Sequence, residues 1–446
     1  MASDRHPLDR LEPALSLADA TLLVVSSVIG VGIFLTPGQV AAALPSAGAF
    51  LAAWVLGGVL SLAGALANAE LGAMYPHAGG DYVYLREAWH PLAGFVIGWL
   101  SFFVIYAGTV ATLAVGFVDG LAHFVPMSAG VRTAFAVAIT LATSAIHFRG
   151  VRLAAWLNNV TAGLKIAALA ALAVIGPMFL HLAGTATPAP APSAVAPGGG
   201  ITAMGFGLAL SPVLFSYLGW NASVYVASEI RRPERNLPLS LFAGLAISTA
   251  IYLAVNLAYL DALSIDAMRA NANVGEAAAR VFFGEHGATI ASVLILGSIL
   301  SCLNATILVG PRIAYAMAID GLFFRSVQGV HERYRTPHIA IAVQAMTAIA
   351  LIVLLRRFPS VLDYTTFAIV LATIADTAAL YQLRRRHPHR PRPYRAWGYP
   401  LVPALYLVAN AAIAIAMLIG RPIECAAALA VTATALPAYA FFVRQK

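Results

Sequence analysis

Three glycines and a proline interrupt the first apolar run of the chain, in the stretch SSVIGVGIFLTPG from Ser26 to Gly38. A helix in a bilayer has no water to satisfy its backbone, so a loosened backbone is tolerated only where it is buried in protein or lines a wet cavity. Unwinding here would free the N–H groups of Gly30, Val31 and Gly32 at the start of a half-helix. That end is electropositive and binds anions such as a carboxylate, and glycine lets a ligand approach closely.

A second apolar run is interrupted in a similar way by Ser216, Gly219 and Asn221, in the stretch FSYLGWN. The chain contains about twelve apolar runs of membrane-spanning length, and the two interruptions fall in the first and the sixth. Broken helices at corresponding positions five spans apart indicate a transporter built from inverted repeats, with its substrate site near the bilayer midplane. The sequence therefore predicts that the two broken segments share one site.

The broken segments offer hydrogen-bond acceptors as well as donors. The carbonyl groups freed beside the breaks are those of Val28, Ile29, Phe215 and Ser216. They can accept from an ammonium group while the amides at the half-helix end bind a carboxylate. One backbone arrangement would thus bind both ends of a zwitterion without a buried charged side chain.

Lys165 lies within the fifth apolar run, in the stretch LNNVTAGLKIAALAALAV. A lysine at membrane depth is costly, faces a cavity or a partner group, and marks a functional site by default. The alternative is that its side chain extends to the cytoplasmic headgroups. About ten residues at about 1.5 Å each separate Lys165 from Arg152, a distance greater than the side chain can span. We therefore predict that Lys165 points into the protein.

The composition is that of an integral membrane protein. Of 446 residues, 60% are hydrophobic and only 10% are charged, whereas a soluble domain carries about 25% charged residues. Loop arginines that set the topology account for the net charge of +8, so nucleic acid is not an expected partner. Cys302 and Cys425 lie in apolar segments and the histidines mostly in loops, so we expect no disulfide framework, metal site or cofactor.

The lysines and arginines are unevenly divided between the two sides of the membrane. With alternating spans and a cytoplasmic N-terminus, most of the 27 fall on the cytoplasmic side, which predicts that both termini are cytoplasmic. The stretch YPHAGGDYVYLREAWHP (75–91) is predicted to be an amphipathic connection on the cytoplasmic surface. The basic stretch LRRRHPHRPRPYRAW (383–397) predicts an anchor near anionic headgroups, which makes membrane lipid an expected partner.

Five stretches carry a resemblance that covers almost the whole chain: VIGVGIFLTPG, AELGAMYPHAGGDYVYLREAW, FSYLGWN, EIRRPERNLPLS and IECAAALAVTATALPAYAFF. By these motifs the chain resembles the amino acid–polyamine–organocation (APC) superfamily. Within it, the chain is similar to bacterial relatives of the L-type amino acid transporter light chains. The resemblance implies the LeuT-type fold, an all-α integral membrane fold of about twelve transmembrane helices with two inverted five-helix repeats and broken helices 1 and 6.

The resemblance divides the chain into six parts. These are a cytoplasmic N-terminus (1–17), a first inverted repeat (18–182), an external linker (183–200), a second inverted repeat (201–384), a basic cytoplasmic loop (385–398) and two further helices with a short C-terminus (399–446). The linker is also indicated by its uncharged, Pro- and Ala-rich composition.

The resemblance also assigns roles to residues of the two breaks. The glycine-rich motif of the family falls on Gly30–Gly32, where Val31 replaces the Ser or Ala of many relatives. The aromatic gate falls on Phe215, and Leu218 stands where relatives commonly have glycine, which narrows the site or moves its wall. The substrate-binding residues predicted in this way are Val28, Ile29, Gly30, Val31, Gly32, Phe215, Ser216, Leu218 and Asn221.

Lys165 matches a fifth-helix lysine of many relatives. In those relatives its ammonium group lies near the first helix, in the place where sodium-coupled members hold a sodium ion. The resemblance therefore implies that Lys165 contacts carbonyl groups near Gly30, couples the unwound segment to the fifth helix, and makes transport independent of sodium.

The expected function is secondary active transport of neutral L-amino acids by alternating access, as a sodium-independent exchanger in the cell membrane. Val31 and Leu218 favour small substrates such as alanine, serine or glycine. Two alternatives stay open: a proton-coupled amino acid symporter, and a carrier of cationic amino acids or polyamines. The second would need an acidic side chain at the pocket, for which Glu70 and Asp376 are the candidates. An enzyme is not expected.

Eukaryotic light chains of the resembling family are joined to a heavy chain through a cysteine in an external loop. The corresponding loop here, GLAHFVPMSAG (120–130), contains no cysteine. We therefore expect no disulfide-linked heavy chain.

Overall fold

The computed structural model describes residues 9–122, 124–182, 203–271, 273–355 and 358–445, so the predicted linker 183–200 lies outside the described residues. The helices of the N-terminal half are α1 Leu17–Val28, α2 Gly32–Ala43, α3 Ala47–Met74, α4 Asp81–Ala88, α5 Pro91–Trp99, α6 Ala107–Leu121, α7 Ala129–Phe148 and α8 Val151–Leu182. The helices of the C-terminal half are α9 Ala203–Tyr217, α10 Ala222–Tyr225, α11 Pro233–Ala262, α12 Ile265–Ala270, α13 Val274–Val309, α14 Pro311–Ile319, α15 His338–Leu355, α16 Phe358–Arg386, α17 Leu401–Gly420, α18 Pro422–Ala433 and α19 Ala435–Arg444.

The described helices form a membrane-spanning bundle. Nine of them, alone or joined end to end, are long and apolar enough to cross a bilayer, and the bent pair α1–α2 makes ten. The shorter α15, and α9 with α10, occupy the two other predicted spans. The prediction of an all-α integral membrane protein is confirmed, and the count of twelve spans stays a prediction.

The first span is interrupted where the sequence places its glycines. Helix α1 ends at Val28, α2 begins at Gly32, and the two axes differ by 44°. Gly32 is required by the neighbouring segment, because an added Cβ would lie 2.8 Å from the Cα of Ser216. The close approach of α2 and α9 therefore depends on a residue without a side chain.

The sixth span is interrupted between Tyr217 and Ala222. Gly219 has a φ of +94°, in the left-handed region, and an added Cβ would lie 2.8 Å from the carbonyl oxygen of Ser27. Glycine adopts this conformation without strain, and here it also allows the second break to pack directly on the end of α1.

Packing contacts recur five spans apart. Helix α1 packs on α11 just as α9 packs on α3, and α8 packs on α13 just as α6 packs on α16. In each comparison, every helix of the second pair lies five predicted spans, or one repeat, away from the corresponding helix of the first pair. This is the arrangement that two inverted repeats produce.

The segments before α1 and after α10 are fastened together. Leu15 and Ile230 form a parallel bridge, in which the N–H of Leu15 donates to the carbonyl of Glu229 at 2.8 Å. The Glu229 carboxylate binds Arg312 of α14 with an Nε–Oε1 distance of 2.7 Å, and both side chains are 1% exposed. The two broken spans are thus linked at one end of the bundle.

The prediction of an amphipathic surface connection over 75–91 is wrong for the part that forms helix α4. Its first five residues, Asp81–Leu85, are all buried. Two glycines with positive φ, Gly79 (+106°) and Gly80 (+49°), turn the chain immediately before it. The turn directs α4 back into the bundle, where it packs on α5 and α16.

Candidate functional site

The two breaks line one cavity of about 150 Å³. The first break contributes Ser27, Val28, Gly30, Val31 and Gly32, and the second contributes Phe215, Ser216, Leu218, Gly219 and Asn221. Ile29 does not line the cavity; it is fully buried and its carbonyl faces Lys165. The structure thus brings eight of the nine predicted substrate-binding residues to one space.

The opposite wall is largely apolar and carries several hydroxyl groups. A π-helical turn, Leu100–Tyr106, joins α5 to α6 and brings Tyr106 to the cavity; such turns often occur at functional sites. Threonines of three helices complete this wall: Thr109 and Thr112 of α6, Thr306 of α13, and Thr365, Thr366 and Thr373 of α16. In the described part of the chain, no charged side chain lines the cavity. The wall therefore offers neutral hydrogen-bonding groups.

Two residues of the first break that line the cavity have backbone N–H groups without an acceptor in the described part of the chain. The N–H groups of Val31 and Gly32 donate to no acceptor among the described residues, although both residues line the cavity. They stand at the start of α2, where the helix dipole adds positive partial charge. Such a helix start attracts an anionic group such as a carboxylate.

The carbonyl groups beside the breaks already have partners within the protein. The Tyr252 hydroxyl of α11 lies 2.8 Å from the carbonyl oxygen of Val28 and 2.7 Å from that of Ser216. The Phe215 carbonyl accepts from the N–H of Leu218 at 3.1 Å. Since a carbonyl oxygen has two lone pairs, a ligand ammonium group would share these acceptors. Tyr252 holds the two breaks together, and no feature of the sequence singled it out.

Lys165 is buried, with 5% of its surface exposed. Its ammonium group donates to the carbonyl of Ile29 and, at 3.3 Å, to that of Ser26. The Cys302 thiol of α13 donates to the same Ser26 carbonyl at 3.0 Å and lies 3.8 Å from the lysine nitrogen. Lys165 therefore connects α8 to the unwound end of α1, and its role in coupling stays a prediction.

Polar side chains of the neighbouring membrane helices differ in whether they reach the cavity. Tyr106 and Thr373 line the cavity. Asn304 does not; its side chain bonds His147 at 3.0 Å and the Ala154 carbonyl. A polar group on a membrane helix often serves such an interhelical bond.

A membrane bundle in which two interrupted spans meet at an uncharged cavity is typical of a secondary transporter. The family model described as amino acid permease matches residues 15–437. The chain belongs to this family of the APC superfamily, and it is a transporter with the LeuT-type fold and not an enzyme.

Curated relatives match over nearly the whole chain. The serine/threonine exchanger SteT of Bacillus subtilis is 30% identical over 442 residues, which is 98% of this chain and 98% of the relative. The large neutral amino acids transporter small subunit 2 of Rattus norvegicus is 28% identical, covering 96% of this chain and 80% of the relative. The Asc-type amino acid transporter 1 of Mus musculus is 27% identical, covering 96% and 81%.

Proposed function

We propose that this protein exchanges neutral L-amino acids across the cell membrane, without sodium and with a preference for small side chains. The observation that carries the proposal is that an uncharged cavity is lined by Val31 and Gly32, whose N–H groups have no acceptor among the described residues. A substrate carboxylate fits that end of α2. Its ammonium group would share the break carbonyls, and the cavity offers no counter-charge for a charged side chain.

The relatives support exchange as the mode of transport. SteT is named a serine/threonine exchanger, and it matches this chain from end to end. For this chain, we infer alternating access in which Phe215 closes over the substrate. Phe215 is partly buried and lines the cavity at the second break, so its ring is placed to cover a bound ligand.

Small substrates fit the size of the cavity. Its volume of about 150 Å³ is below the roughly 300–1,000 Å³ typical of sites for drug-sized ligands. Val31 of the first break and Leu218 of the second break both line the cavity. Alanine, serine, threonine and glycine are therefore the proposed substrates.

Independence of sodium follows from Lys165 in this proposal. Its ammonium group occupies the carbonyl oxygens of Ser26 and Ile29, and oxygen ligands of this kind are what a hard cation needs. A fixed cation at this position would replace a bound one.

Neither candidate carboxylate for a cationic amino acid carrier is available at the cavity. Glu70 binds Arg384 with an Nε–Oε1 distance of 2.9 Å and Arg392 at 3.2 Å. Asp376 is fully buried and does not line the cavity. Neutral substrates are therefore favoured over cationic ones.

The membrane arrangement is proposed from charge and cysteine placement. The protein is a multi-pass membrane protein, and the excess of arginine in alternate loops supports cytoplasmic termini. Cys302 and Cys425 are both buried, so neither is placed to form a disulfide with a heavy chain.

The substrate proposal is tested with purified protein in liposomes loaded with unlabelled L-serine. Uptake of labelled L-serine is measured in sodium-free buffer against a panel of external competitors. We expect alanine, threonine and glycine to compete and lysine and putrescine not to compete, with no gain on adding sodium. Competition by lysine, or a requirement for sodium, would contradict the proposal.

A further inference from the structure

Two buried carboxyl groups lie behind the cavity wall. Asp81 is the first residue of α4 and Asp376 lies in α16; both are fully buried. Their carboxyl groups are neighbours, close enough to share a hydrogen bond. The proposed transport function does not use either of them.

The bonding of this pair is incomplete unless it holds a proton. The Tyr225 hydroxyl donates to Oδ2 of Asp81. The Asn68 side chain and the backbone N–H of Asp81 lie beside the two carboxyl groups, but in the described part of the chain neither bonds Oδ1 of Asp81 or the oxygens of Asp376 with good hydrogen-bond geometry. Two ionised carboxylates cannot bond each other, because both are acceptors only. A proton on one of them supplies the missing donor.

The groups that face the pair from the surrounding helices are neutral. They are Asn68 of α3, Tyr84 of α4, Tyr106 of the π-helical turn, Tyr225 of α10 and Tyr406 of α17. Among the described residues, no lysine, arginine or histidine forms an ion pair with Asp81 or Asp376, and α5, α6, α14 and α18 add no ionised group that faces them. Burial raises the pKa of Asp81, which favours the protonated form.

Tyr225 connects the pair to the substrate cavity. Its side chain lines the cavity, and its hydroxyl also accepts from the amide of Asn221 at 3.3 Å. It belongs to α10, the short helix directly after the second break. A movement of α10 that opens the cavity would therefore also break the bond between Tyr225 and Asp81.

We propose that Asp81 and Asp376 form a proton-binding site whose occupancy is required for the cavity to close on the side of α4. With one shared proton, the pair carries a single negative charge and can be buried. When α10 moves away, water reaches the pair and the proton passes to that water, leaving two hydrated carboxylates. The cavity recloses only after a proton returns, because two ionised carboxylates in contact are not stable out of water.

This inference rests on the proposed exchange function and is tested by the pH dependence of exchange. Liposomes with equal internal and external pH and with L-serine on both sides are assayed from about pH 5.5 to about pH 9. For the wild-type protein we expect the exchange rate to fall at high pH, by about tenfold per pH unit once the proton leaves, as for one essential proton. An absence of exchange at every pH would contradict the exchange proposal instead, and a constant rate over this range would overturn the inference alone.

Amide substitutions separate the pair from other titrating groups. Asp376→Asn supplies a permanent neutral donor, so its exchange rate should be retained at high pH, with a profile flat within about twofold over the range in which the wild-type rate falls. Asp81→Asn tests the same property if Asp376→Asn does not fold. Asp320→Asn is the matched control; that carboxylate binds Tyr82 and Arg86 on the same side of the bundle, and its variant should keep the wild-type pH dependence.

Two results with folded amide variants would overturn the proton site. One is a wild-type pH dependence in Asp81→Asn and Asp376→Asn. The other is an amide variant that binds serine but exchanges it at no pH, since a neutral pair should permit closure.

Discussion

At the scale of single residues, the proposed independence of sodium depends on the buried cation Lys165. It satisfies the carbonyls of Ser26 and Ile29 at the end of α1. Without it, those buried acceptors would lose their charged donor, at a cost of about 1–3 kcal/mol. The unwound segment would then lose its fixed position relative to α8.

Replacing Lys165 therefore gives the first prediction at this scale. Lys165→Ala should lower the serine exchange rate at least about tenfold, a loss of roughly 1.4 kcal/mol, while the protein still reaches the membrane. Arg152→Ala, at an exposed position of the same helix, is the control and should exchange normally. Normal kinetics in Lys165→Ala would remove the role assigned to the lysine.

Leu218 gives a second prediction about single residues, because it lines the cavity where the second break turns. Leu218→Gly removes a side chain from the wall and should widen the substrate range towards leucine and phenylalanine, measured as competition against labelled serine. The effect expected from one apolar side chain is roughly 10–200-fold in relative preference. An unchanged competition profile would show that Leu218 does not limit substrate size.

The site could be predicted in part from the sequence, since glycine breaks are local features. Gly30, Gly32 and Gly219 stand out at membrane depth because a loosened backbone is costly there. Most threonines of the cavity could not be predicted, because a threonine on a membrane helix often bonds its own backbone, as Thr112 does to the Gly108 carbonyl at 2.9 Å. Tyr252 and the buried Asp81 depend on contacts between helices that are distant in sequence.

At the scale of elements, the two breaks are packed on each other through Gly219. Its φ of +94° and the Ser27 carbonyl beside it leave no room for a Cβ. Gly219→Ala should therefore lower the melting temperature of the detergent-purified protein, since strain of this kind costs about 1–3 kcal/mol. Gly163→Ala in α8 is the control, because an added Cβ there meets nothing within 4 Å and alanine favours a helix.

Equal melting temperatures for these two alanine variants would contradict the close packing of the breaks.

Helix positions were largely predictable, because long apolar runs specify spans. The course of α4 was not, since periodicity in an eight-residue helix does not reveal which elements will cover it. The sequence offered one signal for this turn, the glycine pair before Asp81. Both glycines, Gly79 and Gly80, have positive φ angles in the structure.

At the scale of the whole molecule, the bridge between Leu15 and Ile230 and the buried pair of Arg312 and Glu229 join the two broken spans at one end of the bundle. The cavity therefore cannot open at that end unless these contacts separate. If a bound substrate is needed to bring these contacts together again after opening, the protein changes form faster with substrate than without it. Exchange is then faster than net transport. We propose that this protein is such an exchanger.

The most direct measurement compares labelled L-serine uptake into liposomes that contain unlabelled L-serine with uptake into empty ones. Both are assayed at one pH, without sodium, and with the same amount of protein. We expect rapid uptake into the loaded liposomes and little into the empty ones. Equal uptake into both, or uptake into empty liposomes that an inward proton gradient drives, would contradict exchange.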